Sequence, residues 1–152
     1  MTRINCIPVE MLLDQHLFAE YREITRVNKL ARPLDNYGGY TMGTGHVKFF
    51  YDKGLYLSKR CEQLHAELVR RGYNVTHKVY EQHSEGLNKD WQPLKIDKLH
   101  NLMRLIEKQL DKPVFYKLNG TFAPPDYYRY LFYAVTNGKN KLKKSVLFLK
   151  IS

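Results

Sequence analysis

Apolar positions near the start of the chain recur with the period of a helix. Stepping 100° per residue from Leu13 keeps Val9, Leu17, Ile24, Val27 and Ala31 within about 40° of one line. The pattern predicts a helix from Pro8 or Val9 to about Ala31, and proline suits a first helical position because its missing N–H is not needed there. Gln15, Arg22 and Arg26 fall about 140–180° from the apolar line by the same stepping. His16 and Glu23 lie on the border, so a carboxylate sits where the buried stripe meets an arginine-lined surface. Glu20 falls on the stripe itself and reads as a structural carboxylate whose buried donor is expected on the Gly43–His46 loop. Before the helix, Thr2 to Ile7 is rich in β-branched residues and reads as an extended arm.

A second stripe, Val47, Phe50, Leu57, Cys61, Leu64 and Leu68, predicts a helix from about His46 to Arg71, interrupted at Gly54 and capped by Gly72. Lys48, Lys53, Lys59, Arg60, Arg70 and Arg71 are taken to decorate its solvated face. The glycine-rich stretch before it is a loop whose amides, at Gly43 to His46, could receive a phosphate, with a plain turn an equal alternative. Residues 73–93 read as irregular. Leu99, Leu102, Met103, Ile106 and Leu110 mark a third helix from about Ile96 to Leu110, with Arg104 and Lys108 on one face. Beyond residue 120, the aromatic run from Tyr127, the Asn137–Asn140 turn and the apolar end fit either a hairpin or a short helix with a terminal strand, and the hairpin is favoured. The expected fold is all-α: one compact domain on three helices, with an N-terminal arm, divided as residues 1–120 and a C-terminal extension over 121–152.

Charge changes the picture. Lys and Arg number 25 against 15 Asp and Glu, a net charge of +10, and such a surface expects a polyanion, nucleic acid first. No apolar run approaches the roughly 18 residues of a membrane span. No secretory pattern is visible, and two cysteines form no disulfide framework, so a reducing cytosol is expected. His and Cys show no metal-ligand spacing.

Reach sharpens the helix face. From residue 9 to Glu23 is about 21 Å at ~1.5 Å per residue. Thr2 to Pro8, extended, spans up to about 23 Å at ~3.3 Å each. An arm folded back along the helix therefore brings the N-terminus beside Glu23. Threonine after Met1 is small, so removal of the methionine is expected, exposing the Thr2 α-amine.

Several blocks then stand in a telling order: TRIN at the start, DQHL-x-AEYRE-x-x-R from Asp14 to Arg26, GTGHVKFFYDK from Gly43 to Lys53, KR at 59–60, RRGYN at 70–74 and FYK at 115–117. Together they resemble the pyrimidine-dimer DNA glycosylase family of T-even-type phages, over roughly residues 2–120. The resemblance implies an all-α enzyme without metal or other cofactor, monomeric, acting on damaged double-stranded DNA in the (host) cytosol. It implies excision of pyrimidine dimers followed by a nick at the abasic sugar. It assigns the nucleophile to the Thr2 amine and the acid to Glu23. Arg3, Gln15, His16, Arg22 and Arg26 then grip the damaged strand, while Arg104, Lys108, Tyr116 and Lys117 match the family's basic helix and aromatic segment. Cys61 stands where the best-known member of that family has glutamine, and the tail past about 121 has no counterpart. A non-catalytic DNA binder and an abasic-site lyase on the same scaffold are the alternatives.

The residue types suit that chemistry. An α-amine near pKa ~7.8 is about one-third neutral at pH 7.5, whereas a lysine near ~10.4 is neutral about one part in a thousand. Neighbouring Arg3, Arg22 and Arg26 would lower the amine further.

Overall fold

The computed structural model describes residues 4–34, 39–43, 45–81 and 83–137. Four α-helices dominate the described residues: α1 (Asp14–Asn28), α2 (Gly54–Arg70), α3 (Lys95–Asp111) and α4 (Tyr127–Asn137). A two-stranded antiparallel ladder, β1 (Lys117–Leu118) with β2 (Thr121–Phe122), is the only named sheet among them. The fold is all-α, as the periodicity implied, with one helix more than expected. Contacts group the chain into two units, residues 1–5 with 15–93 and residues 6–14 with 94–152.

In the first unit α1 buries its predicted stripe: Leu17, Ile24 and Val27 are closed to solvent. Tyr21 pins the segment that crosses this helix, its hydroxyl donating to the Thr76 carbonyl and accepting from Lys78 N–H, both at 2.7 Å. The α2 stripe of Leu57, Cys61, Leu64 and Leu68 is buried as predicted. Its upstream end differs from expectation. A short 3-10 turn over Val47–Phe50 precedes the helix, and α2 proper begins at Gly54. Gly54 N–H donates to the Leu87 carbonyl at 2.8 Å, and a Cβ there would collide with the Asn88 side chain. Glycine is thus required by close approach of the 87–88 backbone rather than being a flaw inside a longer helix. At the other end Gly72 has φ 91° and Tyr73 N–H reaches back to the Leu68 carbonyl, the expected glycine cap. Tyr40, Phe49, Phe50, Tyr56 and Trp91 form an aromatic cluster with centroids 5.0–6.0 Å apart, which fixes the loop between α1 and α2.

The second unit contains the chain from Cys6 to Asp14 together with α3 and α4. The helix expected from Pro8 is instead a 3-10 turn, Val9–Met11, an extended Leu12, and then α1. Leu13 N–H is taken by the Tyr128 hydroxyl at 2.9 Å, and Tyr127 donates to the Met11 carbonyl. These bonds favour a break where uninterrupted helix was expected. Asp14 accepts from the Asn119 and Gly120 amides, closing the β1–β2 turn. On α3 the buried residues are Asn101, Leu102, Leu105 and Gln109, while Met103 and Leu110 of the predicted stripe are more than half exposed. Of the two alternatives from Tyr127, the favoured hairpin is not what forms over the described part; the chain takes the helix, α4. Tyr127, Tyr128, Leu131 and Ala134 are its buried face, a helical spacing that outweighs the strand preference of the aromatics. Residues 138–152, the rest of that expectation, lie outside the described residues.

Candidate active site

α1 carries most of the site in the first unit. Glu23 is half-buried, its side chain 20% exposed, with Arg26 Nη1 3.5 Å from Oε2. Arg22 and Arg26 are exposed; Gln15 and His16 are partly covered. The helix thus presents a carboxylate flanked by guanidinium groups at the edge of its buried stripe. Thr2 and Arg3 lie outside the described residues.

Beneath that surface the arm is held residue by residue. Ile4 is buried: its N–H donates to His46 Nε2 at 2.8 Å and its carbonyl accepts from the Tyr40 hydroxyl at 3.2 Å. Asn5 follows, its carbonyl accepting from the Tyr56 hydroxyl and its Nδ2 donating to Glu20 Oε1 at 2.9 Å. Arm backbone that pairs with no strand is satisfied by side chains instead. Glu20 is fully buried and takes Arg60 Nε at 2.7 Å and Nη2 at 3.1 Å. Glu20 is therefore the structural carboxylate the stripe implied. Its donors are Arg60 and Asn5, and Arg60, expected on the solvated face, is 4% exposed. A fork-shaped guanidinium reaches both carboxylate oxygens, where a single amide reaches one.

Sequence reading missed Asn5, Tyr40, His46, Tyr56 and Arg60 as parts of this site. One signal was available: Arg60 lies three after Leu57 and four before Leu64, on the apolar stripe of α2. Of the two readings of the Gly43–His46 loop, the plain turn is the better supported, since Gly43 N–H bonds Thr41 Oγ1 and His46 N–H bonds the Gly43 carbonyl. Cys61 is fully buried, its thiol pushed up to about 11 chiefly by burial, so it presents nothing at the surface.

The remaining predicted residues belong to the second unit. Arg104 pairs with Glu107 at 3.0 Å, and Lys108, one turn on, is partly covered. Lys117 is partly exposed with its ammonium 5.0 Å from the Phe122 ring centroid. Tyr116 is 8% exposed, and burial raises its phenol above the usual value; the exposed ring of FYK is Phe115.

A model of the family described as pyrimidine dimer DNA glycosylase matches residues 1–81. The chain belongs to that family. The match takes in the arm, α1 and α2, including Glu20, Glu23, His46 and Arg60, and so covers the buried clamp as well as the cationic face. As a member of a DNA glycosylase family, the protein has damaged DNA as its partner. Among the described residues no group of three His, Cys, Asp or Glu is placed to hold a metal ion, and no helix is long and apolar enough to cross a membrane.

Proposed function

We propose that the protein excises cyclobutane pyrimidine dimers from duplex DNA with the Thr2 α-amine as nucleophile and Glu23 as acid, then nicks the abasic site. The tether of the arm carries this reading. Asn5 is bonded to Glu20, and Glu20 lies one turn before Glu23, about 4.5 Å along the axis. Thr2 is three residues back from Asn5, up to ~10 Å of chain. The arm is thus anchored at a distance its remaining length can close.

The neutral amine forms a bond to the anomeric carbon of the dimer's sugar as the glycosidic bond breaks and the base leaves. Loss of the amine proton and ring opening give an imine, a covalent intermediate that divides one hard step into two. Glu23 stabilises positive charge developing on the sugar and assists the proton transfers. The imine acidifies the adjacent C2′ proton; its removal expels the 3′ phosphate, and water then releases the amine. No metal or other cofactor enters this scheme. Arg3, Gln15, His16, Arg22 and Arg26 position the damaged strand, with further contacts from Arg104, Lys108, Tyr116 and Lys117; phosphate contacts give affinity and register rather than sequence choice. The protein works as a monomer in the cytosol.

Borohydride tests the scheme, because it reduces an imine to a stable amine. Protein lacking Met1, incubated with dimer-containing duplex and borohydride, becomes attached to DNA through the Thr2 nitrogen. Glu23→Gln keeps binding but cleaves at least ~10²-fold more slowly. Protein with a blocked amine binds without adduct or nick. Full cleavage by the blocked form, or an adduct mapped to lysine, rejects the amine mechanism and returns the choice to a binder or another nucleophile.

A further inference from the structure

The imidazole of His46 has no part in the chemistry above, yet it is 1% exposed and makes the tether nearest the N-terminus among the described residues. Its two nitrogens have opposite partners. Nδ1 lies 2.5 Å from the Thr41 carbonyl oxygen, which only accepts, so Nδ1 carries the hydrogen. Nε2 lies 2.8 Å from the Ile4 amide nitrogen, which only donates, so Nε2 offers its lone pair. One neutral tautomer satisfies both contacts. Tyr40 and Phe50 pack edge-on against the ring, with centroids 5.4 and 5.8 Å away, and hold its plane. Tyr40 in turn bonds the Ile4 carbonyl. The Ile4 amide and carbonyl are therefore both fixed by the loop between α1 and α2, two residues from Thr2.

We infer that His46 is a positioning residue for the N-terminal amine: its neutral Nε2 sets the arm's register against the DNA-facing site. The inference rests on the amine mechanism proposed above. Misplacing a reacting group by about 1 Å can cost ~10²-fold in rate, and with the Ile4 N–H released the Tyr40 bond to the Ile4 carbonyl and the Asn5 contacts hold the arm without fixing that amide.

Two substitutions separate the nitrogens. Glutamine can set an oxygen near the Nε2 position and keep the acceptor for Ile4. Asparagine can set its amide near the Nδ1 position, keep the donor for Thr41 and leave Ile4 N–H without its acceptor. Each variant, freed of Met1, is assayed with saturating dimer duplex for the single-turnover rate of borohydride-trapped adduct, and separately for affinity. His46→Gln is expected to trap within about threefold of the unsubstituted protein. His46→Asn is expected to trap about 10- to 100-fold more slowly with affinity little changed. Should His46→Asn be too unstable to assay, His46→Leu removes the acceptor for Ile4 N–H while filling a similar volume and is expected to slow trapping in the same way; an unchanged rate there overturns the inference. So do equal rates for the Gln and Asn variants while the unsubstituted protein traps at Thr2. If the unsubstituted protein forms no Thr2 adduct, the amine mechanism itself has failed.

Discussion

Removing the Arg60 guanidinium would leave Glu20 buried with Asn5 as its remaining bonded partner. A broken buried ion pair costs about 3–5 kcal/mol, because the orphaned charge stays out of water. Arg60→Ala is therefore expected to lower the melting temperature by roughly 10 °C for a chain of this size. Calorimetry checks it, and a loss under about 2 °C would show that the pair does not hold the arm's floor. Replacing both partners by methionine should be far milder for stability, yet it would still strip Asn5 of its anchor. At this scale Glu20 was legible, since a carboxylate on an apolar stripe must find a donor. Arg60 carried the same signal, a charge on the apolar stripe of α2, but was assigned to the solvated face because charge on a helix is usually solvated; His46 carried none, since a histidine after a glycine loop shows nothing of what its nitrogens face. Spacing places a residue on a face but does not identify the group opposite.

Helices were read well where their buried faces are apolar and less well where those faces are polar. α2 followed its stripe because Leu57, Cys61, Leu64 and Leu68 all point inward. α3 did not, because two of its inward residues are amides. Asn101 Oδ1 accepts from Cys6 N–H at 2.8 Å and Ile7 N–H at 3.2 Å, and Gln109 bonds the Pro124 carbonyl and the Tyr128 amide. A hydrophobic count cannot see such positions, so it shifted the stripe by about one residue. Asn101→Ala removes the acceptor of two amides at once, and each unsatisfied buried donor costs about 1–3 kcal/mol. The variant is expected to lose about 2–6 kcal/mol in urea titration. A change below about 1 kcal/mol would mean that water replaces the amide and the two bonds contribute little. The tail was ambiguous for a different reason: its aromatics favour strands, while its inward positions, Tyr127, Tyr128, Leu131 and Ala134, have helical spacing.

For the whole molecule, the net charge of +10 is unevenly spread. Residues 121–152 hold six Lys and Arg against one Asp, a net +5, half of the total. The proposed contacts, Arg3, Arg22, Arg26, Arg104, Lys108 and Lys117, lie outside that segment. Each cation that meets a phosphate on a duplex adds about −0.9 to the slope of log affinity against log salt. About six contacts therefore give a slope near −5 to −6. Ending the chain after Asn137 removes Lys139, Lys141, Lys143, Lys144 and Lys150 and leaves α4 whole. If the named residues carry binding, the shortened protein keeps its slope to within about one unit. A slope that falls by about 4 units would assign the phosphate contacts to the five tail lysines instead. A slope near zero in the full chain would remove duplex binding by these faces altogether.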